Sequence, residues 1–260
     1  MPPPHRSIVV LGESAVGKTC FTDIFIQNTH FAFYDPTLLH TSCAALTLDD
    51  DANLPWDLYL TDISSTIFRE DPRDLPLNFL TFKTLLERAD GVVLLYDITS
   101  LPSFTHVTTS GLAVVAANRR AVRKEDGAAY PEAAGQRFGC VLVGTKADLV
   151  ESGEGRRQVG MEDARAWALG KGWNAFEVDT KKREQVVEVL REVVRSVMRA
   201  EKLDREGVEE AAIRTEEAER MRLENEEAKR EDTNNNKERS MFAALGDSVK
   251  RVIPKAKSGR

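Results

Sequence analysis

Gly12-Glu13-Ser14-Ala15-Val16-Gly17-Lys18-Thr19 fits the phosphate-loop pattern G-x-x-x-x-G-K-[ST] at every fixed position. The chemistry such a segment serves is the binding of a polyphosphate. Gly12 and Gly17 let the backbone curl, so that successive N–H groups point into one anion-sized hollow at the start of the following helix. The expected contacts are Gly12, Ser14, Ala15, Val16, Gly17, Lys18, Thr19 and Cys20. Lys18 would reach the β- and γ-phosphates as a point charge, and the Thr19 hydroxyl would be one ligand of a bridging Mg²⁺. Ser7-Ile8-Val9-Val10-Leu11 reads as a buried strand before the loop, and the residues from Cys20 to Ile26 read as an amphipathic helix after it.

A phosphate loop does not choose the base. Thr145-Lys146-Ala147-Asp148 follows the apolar run from Gly139 to Gly144, which places it where a strand ends. Ligands of open parallel α/β sheets bind at that edge. Asp148 could accept two hydrogen bonds there, from N1–H and the 2-amino group of guanine. Adenine offers neither donor and would leave the carboxylate desolvated and unpaired, a penalty of about 1–3 kcal/mol or more. Alone, the tetrapeptide would read as a turn capping the next helix. Its place after the phosphate loop gives it weight.

In these motifs and their order the chain resembles the small GTPases of the Ras superfamily, closest to the Ras branch, over about residues 6–200. The matching segments are the phosphate loop, Tyr34-Asp35-Pro36-Thr37 as a switch I segment, Asp62 at a strand end, Thr145 to Asp148, and Glu177-Val178-Asp179-Thr180-Lys181. The resemblance implies guanine nucleotide (GTP/GDP) and Mg²⁺ as cofactors. It gives Thr37 a hydroxyl to the metal and an N–H to the γ-phosphate, and it gives Asp62 a contact to the metal through water. The metal set is thus Thr19, Thr37 and Asp62. Phe31 is the implied aromatic against the guanine edge, with His30 and Phe33 as alternatives. The Lys146 stem lies over the base, and Thr180 with Lys181 supplies backbone contacts to the guanine oxygen. Thr145 stands where Asn is commoner, and Asp179-Thr180-Lys181 where Ser-Ala-Lys is usual.

Larger departures follow Asp62. The family pattern D-x-x-G-Q appears as Asp62-Ile63-Ser64-Ser65-Thr66. Ser65 replaces the glycine whose N–H meets the γ-phosphate and whose freedom lets switch II flip. Thr66 replaces the glutamine that orients the attacking water, and its hydroxyl is too short to accept from that water while donating to the phosphate. The catalytic set implied is therefore Lys18, Thr37 and Thr66, with slow intrinsic hydrolysis expected. Ser14 and Ala15 stand where Ras proteins carry two glycines, which would crowd an arginine finger from an activating partner.

Composition fits this frame. With 36 Lys and Arg against 42 Asp and Glu, the net charge is −6, and 42% of residues are apolar. The acidic balance gives no basis for nucleic-acid binding. No run reaches the ~18 apolar residues of a membrane span, and no long apolar region follows Met1-Pro2-Pro3-Pro4, so a cytoplasmic protein is expected. Cys20, Cys43 and Cys140 are expected to be small buried hydrophobes rather than a disulfide framework. The four histidines show no metal spacing.

The patterning predicts strands near 7–11, 43–49, 56–62, 91–96, 138–144 and 174–178, and helices near 17–28, 76–89, 102–119, 160–171 and 184–200. That alternation means an α/β fold: a G domain of the phosphate-loop NTPase kind, its six-stranded sheet mostly parallel and flanked by helices. One antiparallel hairpin is expected, turning through Asp49–Asn53, and an inserted loop is expected at about 120–137.

Residues 201–260 are expected to form a charged helical or disordered extension, with Glu and Arg recurring at helical spacing as in Glu210/Arg214 and Glu226/Arg230. The tail from Met241 is apolar, then basic, and could touch the inner face of an anionic membrane weakly. It carries no C-a-a-X cysteine, so stable lipid anchoring is not expected. Effectors and exchange factors would meet residues 34–42 and 62–75. Three functions fit: a slow guanine-nucleotide switch, a degenerate GTPase serving as a nucleotide-bound interaction module, and an ATP-using enzyme, which Asp148 disfavours.

Overall fold

The structure is a computed structural model that describes residues 4–28, 39–48, 51–63, 77–116 and 138–207, with 210, 213, 217 and 220–222 beyond them. The chain divides into two units, Met1–Gly207 and Val208–Arg260. In the second, each described residue is helical.

The first unit is built on six strands: β1 His5–Gly12, β2 Leu39–Leu48, β3 Asp51–Ile63, β4 Gly91–Asp97, β5 Gly139–Thr145 and β6 Asn174–Glu177. Their order across the sheet is β2-β3-β1-β4-β5-β6, and every pairing is parallel except β2 with β3. β4 and β5 are buried at every position. That is why their sequences run apolar without a break: in a sheet covered on both faces, side chains of either parity meet a core.

The period of two survives beneath those runs. Ile8, Val10, Leu58, Leu60, Val141 and Val143 face one core, against Phe21 and Phe25 of α1 (Lys18–Gln27) and Val189 and Val193 of a helix spanning 183–207. Val9, Leu11, Val92, Leu94, Cys140 and Leu142 face the other. That second core is closed by Leu86 of α2 (Leu77–Arg88), Val107 at the end of α3 (Leu101–His106), and Ala164 and Ala168 of α5 (Met161–Leu169). A short helix, α4 (Ala147–Glu151), lies between β5 and α5.

The six-stranded sheet, mostly parallel and flanked by helices, is the one read from sequence. Several boundaries differ. β2 begins at Leu39 and β3 at Asp51, because antiparallel pairing carries the ladder from Leu39↔Ile63 out to Leu48↔Asp51, with a register shift between Leu46 and Leu48. Asp51–Asn53, expected in the turn, are therefore strand residues. α3 ends at His106 and passes through a wide π turn, Val107–Gly111, before helix resumes at 112–116. The last helix of this unit, from 183, passes the expected end near 200 and is described to 207. Cys140 is buried and Cys20 half-buried, but Cys43 is exposed, a correction to the expectation that all three are core residues. Cys43 pairs with Tyr59, itself 41% exposed, on the outward side of the hairpin, where neither core reaches. The inserted loop at 120–137 lies outside the described residues. No helix among the described residues is long and apolar enough to cross a membrane.

Candidate functional site

Parallel strands deliver their C-terminal ends to one edge, and the residues singled out by type gather there. β1 ends in Gly12, and the chain turns through Ala15 at φ 61° and Gly17 at φ 94° before α1 begins at Lys18. Gly17 occupies a left-handed conformation open to glycine at no steric cost. Ala15 adopts it at about 1–2 kcal/mol, a cost no sequence pattern announces. No side chain caps α1, so its first-turn N–H groups face the loop.

Lys18 is only 8% exposed, and its ammonium donates to the Glu13 carbonyl at 2.8 Å. Burial pulls its pKa below the ordinary lysine value, with the Asp62 and Glu13 carboxylates opposing. The Thr19 hydroxyl donates to Asp62 Oδ2 at 2.6 Å, across from the end of β3. A hydroxyl and a carboxylate side by side are the oxygen donor set a hard cation takes, so these residues fit Mg²⁺. Glu13 also reaches α3, its Oε1 lying 3.9 Å from His106 Nδ1.

The base side is assembled at the end of β5. Thr145 is completely buried, and its hydroxyl lies 2.6 Å from the Val16 carbonyl and 3.0 Å from that of Tyr96. One short side chain thus ties the phosphate loop to β4 and β5. Removing that hydroxyl with Thr145→Val takes away the one proton these two buried carbonyls share and leaves the nearer, Val16, short of a donor. The expected loss is about 2 kcal/mol, or roughly 4–8 °C in melting temperature for a domain of this size, measurable by differential scanning calorimetry.

Lys146 follows at φ 63°, N-capping α4, with its ammonium 2.7 Å from Asp97 Oδ2. Asp148 sits in the first turn of α4 and takes the Lys181 ammonium on Oδ2 at 2.6 Å. Burial pushes the Asp148 pKa up, but the Lys181 hydrogen bond overcomes it, so the carboxyl lies below its ordinary value. It is an ionised acceptor at neutral pH. The segment carrying Lys181 is pinned by Asp179, whose N–H donates to Gln185 Oε1 and whose Oδ1 accepts the Lys181 N–H, each at 2.8 Å. The Lys181 N–H, expected to serve the guanine oxygen, is therefore engaged within its own loop. Thr180 Cγ2 would lie 3.9 Å from a Cβ built on Gly17, so this loop closes on the phosphate loop.

The structure thus brings together Gly12 to Cys20, Asp62, Thr145, Lys146, Asp148, Thr180 and Lys181. Phe31, with its alternatives His30 and Phe33, and Thr37, Ser65 and Thr66 lie outside the described residues. Asp97 was not singled out by sequence reasoning. The cue that marked Asp62, an acid ending an apolar strand, was present there too.

A parallel sheet with a phosphate loop after β1, an acid closing the neighbouring β3 and a Thr-Lys-Ala-Asp turn after β5 defines a phosphate-loop nucleotide-binding domain. The sequence matches the family model described as Ras family over residues 7–199. It is 27% identical to Ras-like protein rasZ of Dictyostelium discoideum over 194 residues, 75% of this chain and 76% of that protein. Ras-like protein rasW of the same organism is 27% identical over 195 residues, 75% of this chain and 76% of that protein, and rasV is 26% identical over 198 residues, 76% and 73%. The chain belongs to the Ras family, the GTP-binding proteins whose members are generally GTPases and signalling switches.

Proposed function

We propose that this chain binds GTP and GDP with Mg²⁺ and acts as a signalling switch with slow intrinsic hydrolysis. The observation that supports the reading is the buried Thr145 hydroxyl on the Val16 carbonyl, which ties the loop after β1 to the strand end that leads into Lys146 and Asp148. Lys18 and the first-turn N–H groups of α1 would hold the phosphates. Asp148 would accept the guanine N1–H and 2-amino donors, sharing its carboxylate with Lys181, and the Thr180 N–H would serve the guanine oxygen. Thr19 and Asp62, with Thr37, would hold Mg²⁺, which when bound neutralises charge developing on the phosphate oxygens.

Slow turnover rests on residue type. Ser65 and Thr66 stand where the family uses glycine and glutamine, so both the freedom of switch II and the orientation of the attacking water are weakened. The same two residues favour a second reading, a chain fixed in one nucleotide state that serves as an interaction module. Effectors and exchange factors would engage residues 34–42 and 62–75. Part of the first segment is β2, at the open edge of the sheet. We place the protein in the cytoplasm, with weak contact of its basic tail to a membrane surface.

Purified protein is to be analysed for the nucleotide it carries and then followed in a single turnover after loading with GTP and Mg²⁺. The switch reading expects guanine nucleotide and measurable conversion to GDP. GTP that stays intact marks the interaction module. No guanine nucleotide, or ATP instead, overturns both.

A further inference from the structure

We infer that Asp97 is a positioning residue for the nucleotide, acting through Lys146. The inference rests on the nucleotide-binding reading and assigns a role to a residue that reading does not use. Asp97 ends β4 and pairs in register with Thr145 at the end of β5, so the next residue, Lys146, emerges beside it. The Asp97 side chain divides its two oxygens between separate tasks. Oδ1 accepts from the Thr99 N–H at 2.8 Å and from the Thr99 hydroxyl at 2.6 Å, closing the turn that leads into α3. Oδ2 takes the Lys146 ammonium at 2.7 Å.

That division matters because the carboxylate cannot rotate without abandoning the two Thr99 donors. Its orientation is fixed by the turn, and it fixes the ammonium in turn. Asp97 is 7% exposed, so the acceptor end of this charge-assisted hydrogen bond is shielded from solvent while the Lys146 side chain stays partly open. Lys146 is also constrained at its backbone, at φ 63° and directly after the Thr145 hydroxyl that grips the phosphate loop. Anchored at both ends, its aliphatic stem has few conformations left. A stem held this way presents a ready flat support for a base, and the ordering cost of binding is lowered.

The test uses the isosteric Asp97→Asn. Its amide oxygen stays with the Thr99 donors and closes the turn, which directs its N–H₂ at the ammonium, a donor facing a donor. Release of N-methylanthraniloyl-GDP, chased with excess GDP in a stopped-flow instrument, is expected to be on the order of tenfold faster than in the native chain. In a Lys146→Met background, which keeps the stem and removes the ammonium, Asp97→Asn is expected to add nothing. A merely structural role would speed release by the same factor in both backgrounds, and that result overturns the inference, as does an unchanged rate for Asp97→Asn alone. Should the asparagine variant not fold, Asp97→Ser keeps an acceptor for the Thr99 N–H, does not reach Lys146, and is held to the same two outcomes. If the native chain takes up none of the GDP analogue, the nucleotide-binding reading itself falls. If it binds and the variants release at the native rate, only the role of Asp97 falls.

Discussion

Asp148→Asn is expected to weaken GDP binding by about a hundredfold or more while leaving the fold intact. In the native chain the carboxylate is an acceptor through both oxygens and is held ionised by the Lys181 ammonium. Guanine offers it two donors. An asparagine amide can accept from N1–H but turns its own N–H₂ toward the 2-amino group, so one hydrogen bond is lost and a donor clash replaces it. Losing one bond to a charged acceptor and leaving a buried donor unmatched comes to about 3 kcal/mol, and about 1.4 kcal/mol corresponds to a factor of ten. Xanthine, which carries a carbonyl where guanine has its 2-amino group, matches the amide. Titration calorimetry with GDP and xanthosine diphosphate should therefore show opposite changes. Equal weakening for both bases would place the role of Asp148 in the local fold. Stability is expected to change little, since Asp148 lies in the first turn of a five-residue helix and its lysine partner is largely in solvent.

Much of this arrangement was legible in the sequence because its physics is local. The phosphate loop is contiguous, and the strand before it and the helix after it carry their own periodicities. The apolar runs of β4 and β5 name buried strands whatever surrounds them. Asp148 was legible because a strand end and a tetrapeptide coincide. What the sequence did not show depends on pairing across space. The start of β2 at Leu39 follows from its ladder with Ile63, a partner 24 residues further along the chain rather than any local signal of strand propensity, and the inclusion of Asp51–Asn53 in β3 has the same origin.

Thr145 shows the limit most clearly. As a residue type it looked a partial substitute for asparagine, and only the folded chain shows its hydroxyl between the Val16 and Tyr96 carbonyls. Asp97 was likewise an ordinary charge until the fold set it against Lys146, and Lys181, expected to act through its backbone, has its ammonium set against Asp148. The left-handed Ala15 is a third case, since only the curvature of the loop demands that conformation. At this site the ends of the strands are local information, and the bonds between them are not.

Gly12→Ala and Gly139→Ala are expected to destabilise the domain to a similar degree yet differ sharply in what they do to nucleotide binding. A Cβ on Gly12 collides with the Leu95 carbonyl oxygen of β4 and comes within 2.9 Å of Val16 Cγ2. The valine methyl can turn aside, but the carbonyl belongs to the strand paired with Gly12 and cannot. A Cβ on Gly139 comes within 2.5 Å of Val197 N and 2.6 Å of its Cα, so it meets the backbone of the helix spanning 183–207. Each substitution overpacks a buried contact between backbones, at about 3 kcal/mol, or roughly 6–12 °C in melting temperature. The consequences then separate by position along the sheet. Gly12 ends β1 and opens the phosphate loop, so moving its strand apart from β4 displaces the N–H groups from Ser14 to Lys18. Losing two N–H contacts to the charged phosphates at about 1.5 kcal/mol each comes to about a hundredfold in affinity. Gly139 begins β5, six residues before Thr145, and it meets the helix at Val197, 14 residues past the helix start at 183 that follows the Thr180–Lys181 loop. GDP affinity measured on folded Gly139→Ala at low temperature should remain within about threefold of the native value, the scatter expected for distant, independent sites, while Gly12→Ala under the same conditions should bind too weakly to carry nucleotide through purification.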